Sequence, residues 1–426
     1  MRIWEKIKKD DLLRHSTLLF ISMVMVHGCN MLFQMVVGRK LPKEEFALLA
    51  AFLAALMIIQ RPLGALRTAM SHYSSLLEAD GRRGDVKRLL RKWLLLTSLP
   101  SIIGGLLVVV FSDTLAAYFH VDRPAPVMIA GALLPALCWL PIVNGAAQGL
   151  ERFRLTASSA IIGAVVRLFL GAGFTVVLYR ACGWAMLGHG LSIYVTVGVV
   201  LIGLWLLLHG HPSGSESLPS MRLYMFHSFF TVAAYAVLMT ADVVLVKHYL
   251  PEDPDFSFAA TLGRTVAFLP GAIAVAMFPK VTSKGALTRE QRRVFFRSFG
   301  YTAMFVLVGV VGCALLPGLL KIIFYGKKAF SPEFSHMIRL MAVVMGFSAL
   351  LNINVQFLLA QRRFKACAVV VLSGCGYLLC GHFFHESAWQ IATAAAVFNL
   401  LALVTTTGCI LFIRHEPTAP RTESGC

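Results

Sequence analysis

The chain reads as a succession of apolar runs of about 20 residues divided by short polar segments, and a run of that length crosses a hydrocarbon core as a helix. Twelve such spans are expected, at 16–37, 46–70, 93–112, 126–148, 155–178, 185–208, 223–247, 257–279, 298–316, 335–358, 366–384 and 388–412. The first run, TLLFISMVMVHGCNMLFQMVV, is longer than a signal-peptide core and has no small-x-small cleavage site nearby. It is read as an uncleaved first span, preceded by the basic, amphipathic MRIWEKIKKDDLLRH.

The pattern occurs twice. VVGRKLPKEEF follows span one and LVKHYLPEDPDF follows span seven, so that Leu41-Pro42 matches Leu250-Pro251. Pro62 of RPLGALRTAM falls against Pro270 of LPGAIAVAMF, and Arg152 of ERFR against Arg363 of RRFK. The three pairs recur about 210 residues apart, near half the chain, which is the signature of a duplicated unit. An even number of spans per unit sets both halves the same way up, related by a pseudo-two-fold along the membrane normal with a site between them near the midplane. The expected architecture is an all-α polytopic membrane protein of two pseudo-symmetric six-helix lobes, 1–212 and 213–426, joined by HGHPSGSESLPSMR (209–222).

Composition agrees with this pattern. Hydrophobic residues make up 58% of the 426 and charged residues 14%, too little polar material to coat soluble domains. The net charge of +18 would suggest nucleic acid in a soluble protein, but its placement argues otherwise. With the N-terminus inside, inner segments hold 25 of the 39 Lys and Arg, outer segments 9, and five arginines lie within spans. That is the positive-inside bias, so both termini are expected in the cytoplasm and the basic loops are expected to meet anionic lipid, with no nucleic-acid partner.

The five arginines within the spans carry the candidate chemistry. At about 1.5 Å rise per residue, Arg61 lies roughly 22 Å from the outer end of span two, Arg167 roughly 18 Å from the inner end of span five, and Arg264 roughly 10 Å from the outer face in span eight. Arg67 and Arg339 lie close enough to an end to snorkel. A mid-span arginine facing lipid costs about 2.5 to 3.5 kcal/mol even on the lenient insertion scale, so these side chains need a partner or a watery cavity. Of 21 Asp and Glu, only Asp242 falls within a span, and an ion pair of Asp242 with Arg264 is one way to satisfy both. Arg61 and Arg167 then remain without a carboxylate, and they point to a cationic cavity for an anion. A guanidinium presents a planar fork of donors suited to phosphate or pyrophosphate. Asn30 and Gln34 in span one, Asn144 in span four, and Asn352, Asn354 and Gln356 in span ten could line that cavity or act as helix-to-helix glue. Pro62, Pro135, Pro141 and Pro270 remove helix hydrogen bonds and allow kinks.

Signals for other chemistry are sparse. The sequence has no G-x-x-x-x-G-K-[ST], G-x-S-x-G or H-E-x-x-H, and no loop long enough for a catalytic domain, so no enzyme activity and no cofactor are expected. The nine cysteines are scattered without a C-x-x-C and read as packing residues. His382, His385 and Glu386 have ligand-like spacing at an outer helix end, but no further partner is evident and no metal site is assigned.

The run LMTADVVLVKHYLPEDPDFSFAATLGRTVAFLPGAIAVAMFPKVTSK resembles the polysaccharide and oligosaccharide flippases of the MOP superfamily, which have the MATE-like fold. VVGRKLPKEEFALLAAF is similar to their first hairpin, and GLERFR and QRRFK to the inner ends of spans four and ten. The resemblance covers nearly the whole chain and implies a transporter of the bacterial plasma membrane that moves a lipid-pyrophosphate-linked oligosaccharide from the inner to the outer leaflet by alternating access. Candidate partners are then that lipid-linked glycan, membrane lipids and glycan-assembly enzymes. Lipid II flippases carry cavity arginines on spans one, two and eight; Arg61 and Arg264 are similar in span, whereas span one here has none. On this reading Arg61, Arg167, Arg264, Asn30 and Asn144 meet substrate, and Asp242 is the candidate for ion coupling. The alternatives are a MATE-type multidrug or cation antiporter and, from another class, a membrane-embedded glycan polymerase or transferase.

Overall fold

A computed structural model describes residues 11–121, 123–178, 180–211, 222–267, 270–271, 273–274, 277, 281 and 288–412. The extreme N-terminus, the 212/213 lobe boundary, most of the inner half of span eight and the tail after 412 lie outside the described residues.

The protein is all-helical, and eleven helices among the described residues are long and apolar enough to cross a membrane. They occupy the places expected for spans one to seven and nine to twelve. Span eight is represented by its outer part, the helix Asp255–Arg264 followed by a 3-10 turn at Thr265–Ala267. Several helices are longer than hydropathy suggested. Span three runs Arg83–Val110 and span nine Arg289–Leu315, each starting well before its apolar run. The extra turns are basic, and they extend past the hydrocarbon core where polar side chains are tolerated. Span nine is started by a capping box, in which the Thr288 hydroxyl accepts from the Gln291 amide and the Gln291 side chain accepts from the Thr288 amide. Two segments expected as outer loop form short helices, Ser112–Tyr118 after span three and Pro317–Tyr325 after span nine, a further correspondence between the halves.

The inner ends of spans four and ten repeat in geometry as well as in sequence. Glu151 and Arg362 sit at φ of 56° and 54°, the left-handed conformation that L side chains seldom adopt. Each is followed by an arginine whose amide reaches back to close the helix, Arg152 to the Ala147 carbonyl and Arg363 to the Leu358 carbonyl. Gly81 does the same at the end of span two, with φ of 72° and the Arg82 amide on Leu77.

Burial orders the spans around the bundle. Spans three and nine have 11% of their apolar window buried, whereas span ten has 72% and spans two, four and seven 56%. Spans three and nine are therefore peripheral, with Leu95, Leu99, Leu106, Leu307 and Val308 exposed on faces suited to lipid. Spans two and seven pack on each other and join the halves.

At the end that the charge bias assigns to the outside, the halves are held by a dense seam. Phe46 stacks on Phe258 with ring centroids 4.0 Å apart, and Tyr325 wedges against both while its hydroxyl donates to the Phe258 carbonyl at 2.9 Å. Lys43 pairs with Asp255 at 2.7 Å. Lys328 donates to the carbonyls of Gly38, at 2.6 Å, and Leu41. Arg39 donates to the Ile323 and Phe324 carbonyls. His248 stacks on Tyr118 at 3.7 Å, its Nδ1 donating to the Tyr118 carbonyl, while His120 donates to the carbonyl of His248. Burial, and then the neighbouring Lys43 ammonium, bring the Lys328 amine down to about 8.

Candidate substrate site: arginines at interrupted helices

Each of the three mid-span arginines stands where its helix departs from regular α geometry. Span two is two helices, Lys43–Gln60 and Gly64–Ala79. Pro62 has no N–H to give to the preceding turn, so the chain passes through a tight turn there. Gly64, Ala65 and Leu66 bond back to the carbonyls of Arg61, Pro62 and Leu63 before the second helix settles. Arg61 is the C-cap of the outer helix, where unpaired carbonyls favour a cation. Its guanidinium makes no side-chain hydrogen bond to the described residues. It lies 5.5 Å from the Tyr235 ring of span seven, across the join between the halves. Tyr235 is itself fixed, its hydroxyl donating to the Ser348 carbonyl of span ten at 3.1 Å.

Arg167 opens a π-helical turn, Arg167–Ala172, within span five. Such turns insert one extra residue, and they occur often at functional positions. The guanidinium lies 4.4 Å from the Phe33 ring and Nη1 donates to Asn30 Oδ1 at 3.1 Å, both on span one. Its Nε is buried without a partner.

Arg264 closes the outer helix of span eight, in the same span of the second half as Arg61 in the first but several residues out of the repeat's register. It is neutralised: Nη2 meets Asp242 Oδ1 of span seven at 2.7 Å, with side chains 13% and 3% exposed. The Nε of Arg264 and the Oδ2 of Asp242 remain without partners in that contact. Close approach of span eight to span ten at Gly263, where a Cβ would stand 2.7 Å from the Met341 backbone, holds this helix in place.

The amides divide into two groups. Asn30 joins Arg167, and Asn144 has a buried Oδ1 without a partner. Asn354 serves as glue, its Nδ2 donating to Thr406, Thr407 and the Leu403 carbonyl of span twelve. Arg67 is exposed and Arg339 donates to the Ala314 carbonyl. At the outer end His382 accepts from or donates to the Tyr249 hydroxyl at 2.9 Å and His385 stacks on the Tyr249 ring.

Two contributors went unnoticed in the sequence. Tyr235 sits in an ordinary apolar run, and its role depends on a contact across the join. His189, on span six in AMLGHGLSI, has a buried Nδ1 without a partner and lies within electrostatic reach of Arg167. A polar residue in mid-span was the available signal for it.

The fold and these positions can be set beside known proteins. The MatE family model matches residues 19–172, from span one to the end of the π turn in span five. An inward-facing multidrug resistance MATE family transporter of the MOP superfamily superposes with a TM-score of 0.67 at 12% identity, covering 93% of this chain and 98% of that one. A MOP superfamily transporter from Pyrococcus furiosus, described as having a binding pocket of reverse polarity, gives 0.66 at 12% identity over 94% and 96%. The eukaryotic MATE transporter AtDTX14 gives 0.66 at 12% identity over 95% and 97%. No curated protein sequence matches. The fold is that of the twelve-helix MATE transporters.

Proposed function

We propose that the protein is an alternating-access membrane transporter, not an enzyme, and that its substrate is an anionic lipid-linked oligosaccharide held by its pyrophosphate. The observation that carries this reading is the charge balance of the spans. Asp242 is the only carboxylate inside a span and it is tied to Arg264, which leaves Arg61 and Arg167 without a carboxylate in the middle of the bundle. Guanidinium groups kept in such a place at a cost of about 2.5 to 3.5 kcal/mol each call for an anion as the compensating charge. Arg61 and Arg167 are assigned to the phosphates, with Asn30 and Asn144 toward phosphate or sugar, and Arg264 joins them once Asp242 is neutralised by a proton or cation. That exchange makes Asp242 the coupling residue. The basic inner loops orient the chain with both termini in the cytoplasm of a bacterial plasma membrane, and glycan-assembly enzymes would supply and consume the substrate.

The runner-up is a multidrug or cation antiporter, supported by the transporters of that description among the structural relatives. The unpaired arginines weigh against it, since they repel a cation, and a reversed pocket polarity has been described for one relative of the same fold. The test is translocation of a fluorescent lipid-pyrophosphate-oligosaccharide in liposomes under an imposed ion gradient and potential. Wild type is expected to flip it unchanged, and Arg61→Ala and Arg167→Ala to abolish flipping while remaining folded. Efflux of cationic drugs with no flipping would establish the antiporter instead, and a covalently altered glycan would establish a polymerase or transferase.

A further inference from the structure

The strongest unassigned feature is the pair of orphaned polar atoms where spans five and six touch. These helices run antiparallel and are locked at two points. A Cβ on Gly188 would fall 2.2 Å from the Cα of Gly171, and a Cβ on Gly163 would fall 2.1 Å from Thr196 Oγ1. Between the two locks Arg167 and His189 lie within one turn of the same level. Span one completes the enclosure. The Phe33 ring would be 2.7 Å from a Cβ on Gly171 and lies under the guanidinium, and Asn30 holds Nη1.

The hydrogen-bonding inventory here is one-sided. Asn30 has committed its acceptor to Arg167, so its free amide group is a donor. Arg167 Nε is a donor only and is buried with no partner. His189 Nδ1 is also buried with no partner, and a neutral imidazole donates from whichever nitrogen carries its proton. Buried polar atoms are nearly always satisfied in folded proteins, and neither of these has a partner among the described residues. A ligand whose oxygens only accept, such as a phosphate, would satisfy them together. Among the described residues the charged group acting on His189 is Arg167, whose positive charge favours an anion at this position.

We propose that His189 contacts the substrate directly and that, with Arg167 and Asn30, it forms a phosphate subsite at the π turn of span five. The inference rests on the anionic-substrate reading above and narrows it, by placing one phosphate in the N-terminal lobe on residues from spans one, five and six. At the repeat offset Arg167 falls against 375–378 of span eleven, where the sequence has no arginine.

The experiment is binding of inorganic pyrophosphate, and in a parallel arm geranyl pyrophosphate, to the purified full-length protein in nanodiscs. His189→Phe keeps the ring volume and removes both nitrogens, and it is expected to weaken binding roughly 10- to 100-fold, the usual loss for a hydrogen bond to a charged group. His189→Gln retains a donor and is expected within about threefold of wild type. Unchanged binding by His189→Phe overturns the contact while leaving the anionic-substrate reading intact; failure of wild type to bind either probe overturns both. Tighter binding of the prenylated probe identifies a lipid headgroup as the source of the phosphate, and equal binding identifies a free anion.

A second measurement needs no variant. Diethyl pyrocarbonate modification followed by mass spectrometry is expected to show His189 protected by pyrophosphate, with the exposed His336 reacting at the same rate throughout. Equal reaction of His189 with and without pyrophosphate, or no reaction in either case, means that it does not face the ligand space and overturns the proposal.

Discussion

Gly38 is the point at which the outer seam tolerates least. A Cβ there would stand 2.7 Å from Cε1 and 2.8 Å from Cδ1 of Tyr325, and 3.4 Å from Phe46. The ring has little room to retreat. It is 2% exposed, its hydroxyl is fixed on the Phe258 carbonyl, and its faces and edges meet Phe46, Phe258 and Phe330. Gly38→Ala therefore overpacks the closed seam, at a cost of about 1 to 3 kcal/mol. The cost exists only while the halves are together at this end, because Gly38 belongs to span one and Tyr325 to the short helix after span nine. The substitution should then shift the ratio of closed to open by about 5- to 150-fold. Between conformations separated by a few kcal/mol, that is enough to exchange the majority state.

The assay is the distance distribution between spin labels at Asp113 and Lys327, exposed positions on the outer sides of the two halves, on a cysteine-depleted background. Gly38→Ala should populate longer distances than wild type. Tyr325→Leu in the same protein should restore part of the closed population, since the smaller side chain removes the clash, and the coupling between the two substitutions should approach the cost of the clash itself. An unchanged distribution in Gly38→Ala, with the protein folded, would refute the argument that this seam is a contact formed in only one conformation.

Asp242→Asn strands the buried Arg264 guanidinium and should cost about 3 to 5 kcal/mol, read as a fall in melting temperature, and Asp242→Leu with Arg264→Leu should recover most of it. Transport and ion dependence unchanged in Asp242→Asn would remove its coupling role. For Lys328 the sign follows from its lowered value of about 8 in the closed seam against 10.5 for an ordinary lysine: closing releases a proton, so the closed population should rise with pH between about 8 and 10.5, and Lys328→Met should flatten that dependence. Pro62→Ala restores an amide donor to the break in span two. It should slow substrate translocation in liposomes while leaving pyrophosphate binding within about twofold, since it stiffens a hinge and touches no ligand group.

The spans were legible because an apolar helix in lipid must be continuous and long. The same criterion ends at the membrane surface, so hydropathy gives no sign that the basic first turns of spans three and nine continue the helices. Ser112–Tyr118 and Pro317–Tyr325 were too short to give a period. The left-handed closures at Glu151 and Arg362 carry no glycine and announce themselves only through the recurrence of Arg-Phe after them. Among site residues, Arg61, Arg167 and Arg264 stood out because charge is rare in lipid, and Asp242 was the one available partner in a span. The stacking of Arg61 on Tyr235 could not be read, because neither residue type nor spacing records which helix of the other half lies opposite. His189 gives little signal, because a neutral, mid-sized ring does not interrupt an apolar run.

The duplication makes the difference between the halves informative. An arginine stands at the end of the outer helix in the second span of each half, Arg61 beside Pro62 and Arg264 before the 3-10 turn at Thr265–Ala267, although the two do not fall in the repeat's register. A purely structural requirement for a cation at a broken helix would be met in the same way twice. Instead Arg264 has a carboxylate from the preceding span at 2.7 Å, while Arg61 has, among the described residues, the face of an aromatic ring at 5.5 Å. The second uncompensated arginine, Arg167, is also N-terminal and has an amide and an aromatic ring as its partners. The duplicated scaffold thus carries its free positive charge in one half and its balanced pair in the other. On the proposed reading Arg61 and Arg167 hold the anion in one half while the Asp242–Arg264 pair exchanges charge in the other, so that substrate and ion would be linked through the seam that joins the halves.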